Sequence, residues 1–154
     1  VILNAINKKP IPVYGDGMNV RDWIYVIDHC KAVDMVLHKG VSGGIYNIGA
    51  RNERANIEAI KLMLKKISSL LNLNEDELMS LITFIKDREG HDRRYAIDPS
   101  KIERELGWRS EMSFDEGITK TIEWYISNKQ WWQRIISGEY VQYYKSWYGE
   151  RLKI

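Results

Sequence analysis

Three short stretches of the chain carry side chains able to grip an anion or a flat ring. Tyr14-Gly15-Asp16-Gly17 is followed by Arg21-Asp22-Trp23. An arginine leaving a glycine turn can offer its planar fork to a carboxylate or phosphate, and a tyrosine supplies a flat face for a base. The same spacing also fits a surface arginine paired with Asp22 in solvent. The second stretch is Asn52-Glu53-Arg54-Ala55-Asn56, just before an amphipathic run. Asn56 suits an N-cap, and because a helix N-terminus also attracts anions, capping and ligand binding can coexist there. The third stretch, Asp87 to Arg94, places Arg88, His91, Arg93 and Arg94 within seven residues beside Gly90. That density of donors suits a diphosphate; the alternative is a charged turn that neutralises itself.

Two other spacings imitate known sites. Tyr125-Ile126-Ser127-Asn128-Lys129 matches the Tyr-x-x-x-Lys of short-chain dehydrogenases, where a cation lowers a phenol's pKa so that it can act as a base. Four-residue spacings of common residues arise often by chance, and Tyr125 reads as a core residue of an amphipathic helix. The glycines at 40, 43, 44 and 49 do not form a dinucleotide loop, because Gly43-Gly44 precedes a strand-like segment rather than a helix start. No catalytic residue is assigned. The three histidines are scattered, so no metal site is expected.

The elements that must position these residues alternate between α and β. Val1 to Asn7 reads as the end of an apolar helix stopped by Lys8-Lys9-Pro10. Ile11 to Gly17 is extended and enters a glycine turn. Val20 to Val26 reads as a strand, and Ile27 to His38 as a helix with Cys30, Val33, Val36 and Leu37 near helical spacing. Ser42-Gly43-Gly44 is a turn before a strand at Ile45–Ile48. Ile57, Ile60, Leu64, Ile67 and Leu71 make one apolar stripe on the clearest helix. Asn74 to Ile82 reads as a second short helix, and Thr83 to Ile85 as a strand. Asp98, Pro99 and Gly107 punctuate another helix, and Ser113-Phe114-Asp115-Glu116 is a capping box. Nine of the seventeen aromatic residues fall between Trp124 and Tyr148, which makes an aromatic, helical tail.

Composition sets the outer bounds. With 154 residues, 44% of them hydrophobic, the chain can build one ordinary core. A formal net charge of +2 gives no basic arm, so nucleic acid is not an expected partner. Apolar runs are too short to span a bilayer, so no membrane partner is expected. The single cysteine, Cys30, fits a reducing compartment, and a cytoplasmic location is expected. The chain opens at Val1 without a methionine and reads as the downstream part of a longer protein.

In order along the chain, Pro12-Val13-Tyr14-Gly15 with Arg21-Asp22-Trp23, Tyr46-Asn47-Ile48-Gly49, Asn52-Glu53 and Asn56-Ile57 form one series of motifs. Asp87-Arg88 with Gly90-His91-Asp92-Arg93-Arg94-Tyr95, Glu105-Leu106-Gly107-Trp108 and Glu123-Trp124-Tyr125 continue it. Together they resemble the dTDP-glucose 4,6-dehydratase family of extended short-chain dehydrogenases/reductases. The Arg-Asp-Trp and Leu-Gly-Trp pieces recur across nucleotide-sugar enzymes, whereas the Gly-His-Asp-Arg-Arg-Tyr stretch and the Trp-rich tail point to this family. The resemblance implies an α/β fold: the C-terminal substrate-binding portion, spanning residues 1–154, with short strands, several helices and most of the Rossmann core missing.

It further implies that Pro12, Val13 and Tyr14 line a base and ribose, that Arg21 and Arg88 hold a pyrophosphate, and that Asn56, His91 and Val1 add substrate contacts. Glu89 stands where the family loop has proline. The implied chemistry is an internal redox and dehydration cycle on dTDP-glucose giving dTDP-4-keto-6-deoxyglucose, a lyase reaction with NAD bound mainly by an upstream part. The complete protein is expected to be a homodimer, and this chain alone inactive. A UDP-sugar epimerase or decarboxylase, or a non-catalytic nucleotide-sugar-binding module, remains the alternative.

Overall fold

The structure is a computed structural model that describes residues 1–138 and 144–147. The elements run α1 (Ile2–Ile6), β1 (Ile11–Tyr14), β2 (Val20–Asp22), α2 (Val26–Lys39), β3 (Glu53–Ala55), α3 (Asn56–Leu71), α4 (Glu75–Met79), β4 (Ile82–Ile85), α5 (Ser100–Leu106), α6 (Phe114–Ser127) and α7 (Lys129–Ile136). They divide into two compact units. The first is Val1–Met18, Ile57–His91 and the chain from Thr119 onward; the second is Asn19–Asn56 and Asp92–Ile118.

In the first unit β1 and β4 form a parallel pair, from Ile11 opposite Ile82 to Tyr14 opposite Ile85. Successive strand residues face opposite ways, so Ile11 and Val13 are buried while Pro12 and Tyr14 occupy the other, half-buried face. Proline is tolerated because, among the described residues, the sheet has two strands and β1 is an edge. Of the stripe predicted on α3, Ile57, Ile60, Leu64 and Ile67 are buried, joined by Met63, while Leu71 is half-buried. The Asn74 carboxamide caps α4 through the Glu77 amide at 2.9 Å. That helix ends at Met79 rather than running to Ile82, because Ile82 is taken into the ladder opposite Ile11.

In the second unit β2 and β3 are antiparallel, pairing Val20 with Ala55, Arg21 with Arg54 and Asp22 with Glu53. A small core of Ala32, Ile102 and Trp108 is surrounded by Ile24, Met35, Val36, Tyr46, Ile48 and Leu106. The α5 punctuation is shifted by one residue at its start: Pro99 is the N-cap and Ser100 the first helical residue, with Asp98 accepting from the Ser100 amide, while Gly107 ends the helix in a left-handed conformation as expected. In the capping box the Glu116 amide donates to the Ser113 hydroxyl oxygen at 3.3 Å, and Glu116 Oε2 accepts from the Ser113 amide at 3.4 Å.

Three expectations are corrected here. The strand from Val20 stops at Asp22, where its partner β3 ends. Ile45–Ile48 is not a strand, because no described segment pairs with it; instead Lys101 donates to the Ile45 carbonyl at 3.0 Å and covers the Tyr46 ring. Of the apolar spacing on α2, only Val36 packs against the core; Cys30, Val33 and Leu37 are exposed. That helix buries Asp28 and Ala32, while Val26 is also exposed. No helix among the described residues is long and apolar enough to cross a membrane.

Candidate functional site

Parallel strands present ligands at their carboxyl ends, where the chain leaves the sheet and backbone groups lose their ladder partners. In the first unit those ends are Tyr14 on β1 and Ile85 on β4, joined by the Gly15 amide donating to the Ile85 carbonyl at 2.9 Å. The loop after β4 then folds back over Tyr14. The Arg88 guanidinium sits 5.0 Å from the Tyr14 ring centroid, and the His91 ring meets Tyr14 edge-on at 5.9 Å.

Asp87 holds the loop in shape. Its carboxylate is 2.6 Å from His91 Nδ1 and accepts from the Arg88 amide at 2.8 Å. The hydrogen bond from His91 is the largest influence on Asp87; burial opposes it, and the Arg88 amide and the nearby cations add to it, so that the carboxyl is held below the usual carboxylate range. The turn itself closes through the His91 amide on the Arg88 carbonyl, with Gly90 at φ +67°. Only a residue without a Cβ adopts that conformation at no steric cost. Arg88 is exposed, whereas the His91 side chain is 5% exposed. The result is a cation held over an aromatic face, backed by a His–Asp pair.

In the second unit Arg21 does not pair with Asp22. Adjacent strand residues point to opposite faces, which separates the two side chains. Arg21 Nη1 donates to the Val20 carbonyl at 2.6 Å, Nη2 donates to the Asp92 carbonyl at 3.0 Å, and the guanidinium lies 4.6 Å from the Tyr95 ring centroid. Asp22 instead gathers the loop after Ile48, accepting from the amides of Ala50 at 2.9 Å, Arg51 at 3.3 Å and Asn52 at 2.8 Å. Gly49 makes that approach possible, since a Cβ there would lie 2.6 Å from Asp22 Oδ2. Asn56 is the first residue of α3, and its amide donates to the Asn19 carbonyl at 2.9 Å.

The residues marked in the sequence thus fall into two groups. Tyr14, Arg88 and His91 gather at the carboxyl end of the β1–β4 pair; Pro12 lies two residues back on the same strand face as Tyr14, and Val13 is buried on the opposite face. Arg21 and Asn56 belong to the second unit, as does Arg94, which is paired with Glu53 at 2.7 Å. Val1 sits at the head of α1, 42% exposed. Tyr125 and Lys129 lie on different helices: α6 ends at Ser127, and Trp132 of α7 donates its Nε1–H to the Tyr125 carbonyl at 2.8 Å. That break removes the shared helical face a tyrosine–lysine base would need. Of the aromatic tail, Tyr140, Tyr143 and Tyr148 lie outside the described residues.

Sequence reasoning missed Asp28, which is 2% exposed and accepts from Ser110 Oγ at 2.8 Å, the Glu111 amide at 2.9 Å and the Met112 amide at 2.8 Å. An acid in a helix's first turn reads as a surface feature, and only the tertiary contact reveals its role. Two hollows coincide with none of the marked residues. One, of 490 Å³, is lined by Ile57, Lys61, Met79, Ile82 and Phe84. The other, of 420 Å³, is lined by Gly49, Ala50, Arg51, Glu103, Arg109 and Ser110. Among the described residues no group of three His, Cys, Asp or Glu side chains could hold a metal ion.

Fold and site together describe an α/β chain in which the carboxyl end of a parallel strand pair carries an aromatic ring and an arginine. The sequence profile of the family described as GDP-mannose 4,6 dehydratase matches residues 1–121. The chain belongs to that family. It is 48% identical to a dTDP-glucose 4,6-dehydratase of Escherichia coli over 155 aligned positions, covering 99% of this chain and 41% of the relative.

Among solved structures, a dTDP-glucose 4,6-dehydratase of Bacillus anthracis in complex with NAD is 43% identical, with a TM-score of 0.71 over 86% of this chain and 40% of that one. DesIV, a dTDP-glucose 4,6-dehydratase of Streptomyces venezuelae with NAD and TYD bound, is 39% identical. Its TM-score is 0.76, over 86% of this chain and 39% of that one. The chain therefore spans about two fifths of the length of these relatives, on their C-terminal part.

Proposed function

We propose that this chain is the nucleotide-binding portion of a dTDP-glucose 4,6-dehydratase, and that the complete protein converts dTDP-glucose to dTDP-4-keto-6-deoxyglucose. The observation that carries the reading is the stacking of Arg88 over Tyr14 at the carboxyl ends of β1 and β4. Tyr14 offers the base a flat face, with Pro12 beside it. Arg88 offers the diphosphate a charged fork, and His91, braced by Asp87, closes the loop. Arg21 and Asn56 of the second unit are further contacts to the same class of ligand, and Val1 is another.

Magnitudes favour a trade on binding. At an exposed site a cation–π contact contributes about 0.5–1 kcal/mol. A charge-assisted hydrogen bond to phosphate contributes about 1.5–3 kcal/mol. Arg88 therefore gains by leaving Tyr14 for the diphosphate, which opens the ring to the base. Binding remote parts of a substrate in this way supplies energy that the reacting centre can use.

NAD would supply the redox chemistry of such a cycle, but the residues described here do not form a site for it. A dinucleotide needs a strand, a tight glycine loop and a helix start in succession, whereas Gly43 and Gly44 lie in a turn followed by an unpaired segment. No step is assigned through NAD to this chain.

Calorimetric titration with dTDP, then UDP, tests the reading. The expected result is preferential dTDP binding that weakens about 10- to 100-fold in Arg88→Ala, the equivalent of one lost charge-assisted contact. Equal affinity in wild type, Arg88→Ala and Tyr14→Ala would overturn it. A preference for UDP would point to an epimerase or decarboxylase of the same superfamily.

A further inference from the structure

Asn19 is a polar side chain only 1% exposed, placed between the Asp92 carbonyl and the start of α3. Its Nδ2 donates to the Asp92 carbonyl at 3.3 Å. The same carbonyl receives Arg21 Nη2 at 3.0 Å. Its own carbonyl receives the Asn56 amide at 2.9 Å. Its Oδ1 has no hydrogen-bond partner among the described residues.

We propose that the Asn19 side chain is the positioning group for Arg21. The proposal rests on the reading of Arg21 as a contact to an anionic nucleotide. Arg21 has a long, flexible side chain, and holding it in one place requires a fixed acceptor. The Asp92 peptide is fixed on one side by Asn19 Nδ2. On its far side the Arg93 carbonyl accepts from the Val20 amide at 2.8 Å and the Tyr95 amide donates to the Val20 carbonyl at 3.1 Å. The Tyr95 hydroxyl donates to the Asp92 carboxylate, and the Tyr95 ring lies under the Arg21 guanidinium. Asn19 thus buttresses the one acceptor that Arg21 shares with it, while its main chain sets where α3 begins.

The unsatisfied Oδ1 is what separates positioning from plain stabilisation. A buried acceptor without a partner costs stability, so a purely structural Asn19 would be better replaced by an apolar side chain of the same shape. Retaining it makes sense if the Nδ2 donor is needed where it is. The test is Asn19→Leu, which keeps the branched shape and removes both donor and orphaned acceptor, with Asn19→Ala as a second variant that fits any packing.

Three readouts are taken on the full 154-residue chain: thermal melting, the NMR resonances of the Arg21 guanidinium assigned with Arg21→Lys, and dTDP titration. Asn19→Leu is expected to melt at or above the wild-type temperature, to let the Arg21 Nη signals average by free rotation, and to bind dTDP about tenfold more weakly. Arg21 signals unchanged in both variants would overturn the positioning role, whatever dTDP does. Arg21 signals released in both variants, with dTDP affinity unaltered in Arg21→Ala, would keep Asn19 as the positioning residue and sink the ligand reading instead. Melting and Arg21 release that fall together in Asn19→Leu would assign Asn19 to structure alone.

Discussion

The two units are held together by different physics. The first is built on apolar burial: α3 places Ile57, Ile60, Leu64 and Ile67 along one side, and all four are buried. The second relies on carboxylates that stitch loops. Asp28 gathers residues 110–112, and Asp22 gathers the amides of residues 50–52. Its apolar core is small, and the apolar stripe of its longest helix faces outward. Burial of a Leu or Ile side chain stabilises by about 1.5–3 kcal/mol whatever the pH. A buried carboxylate stabilises only while it is ionised and its donors are in place. The two units should therefore answer differently to mutation and to acid.

The sharpest break in the comparison is Leu64→Ala. Leu64 is 0% exposed, and its truncation should cost about 2–5 kcal/mol from lost transfer energy and the cavity left behind. Residue-resolved hydrogen exchange should show the loss in α3 and β1, with the same size at neutral and mildly acidic pH. A cost below about 1 kcal/mol would mean that the first unit is not held by this stripe.

Asp28→Ala comes next, at about 3 kcal/mol, because two amides and a hydroxyl lose their acceptor inside the second unit. Here pH matters. Burial is the largest influence on Asp28 and pushes its carboxyl up, but the donors of Met112, Ser110 and Glu111 together outweigh it and hold the pKa below the ordinary carboxylate value. A depressed pKa means that the unfolded chain takes up the proton first as acid is added. The stabilisation is complete above the ordinary carboxylate range and disappears as pH falls through the lowered folded value. Exchange from α2 should accelerate in that acid interval in wild type and lose this pH dependence in Asp28→Ala. A wild-type α2 indifferent to acid would remove the distinction between the units.

Much of the first unit was legible in sequence because its signals are local and redundant. The α3 stripe repeats at Ile57, Ile60, Leu64 and Ile67, and the alternation of Ile11 and Val13 marks one strand face. The clustering of Arg88 and His91 was also readable, since a glycine turn keeps neighbours together. In the second unit the decisive contacts are distant. Asp28 meets residues more than eighty positions away, and Arg21 meets Asp92 across seventy-one. Ile45–Ile48 has a strand's composition, but a strand is a property of two segments, and composition reports only one. Tyr125 and Lys129 failed for the converse reason: the spacing assumed one helix, and the chain breaks at Asn128.

A smaller effect sharpens the picture from the first unit's working loop. Glu89 precedes Gly90 in the turn closed by the His91 amide on the Arg88 carbonyl, and proline occupies this place in the family the sequence resembles. Proline fixes φ near the value that the second turn residue requires and restricts the unfolded chain. Glu89→Pro should therefore stabilise by about 0.4–1 kcal/mol, read from the melting temperature. Removing the acid beside Arg88 should also tighten dTDP binding. A destabilised variant would show that the turn here uses a φ unlike proline's.

The smallest effect belongs to Leu37→Lys, and it isolates what periodicity can and cannot say. Leu37 continues the stripe Val26, Cys30, Val33 on α2, in the spacing that buries Leu64 on α3, yet it is 78% exposed. Helical spacing shows that a face is able to be covered; only a neighbour covers it. With nothing to lose by leaving water, Leu37→Lys should change stability by less than about 0.5 kcal/mol. A cation in the last turn of α2 should also interact favourably with the helix dipole, which offsets any loss of helix propensity. The measurement is a denaturant midpoint at low protein concentration, set beside Leu64→Ala. A cost above about 1 kcal/mol would mean that the α2 stripe is covered in solution and that both units depend on apolar burial after all.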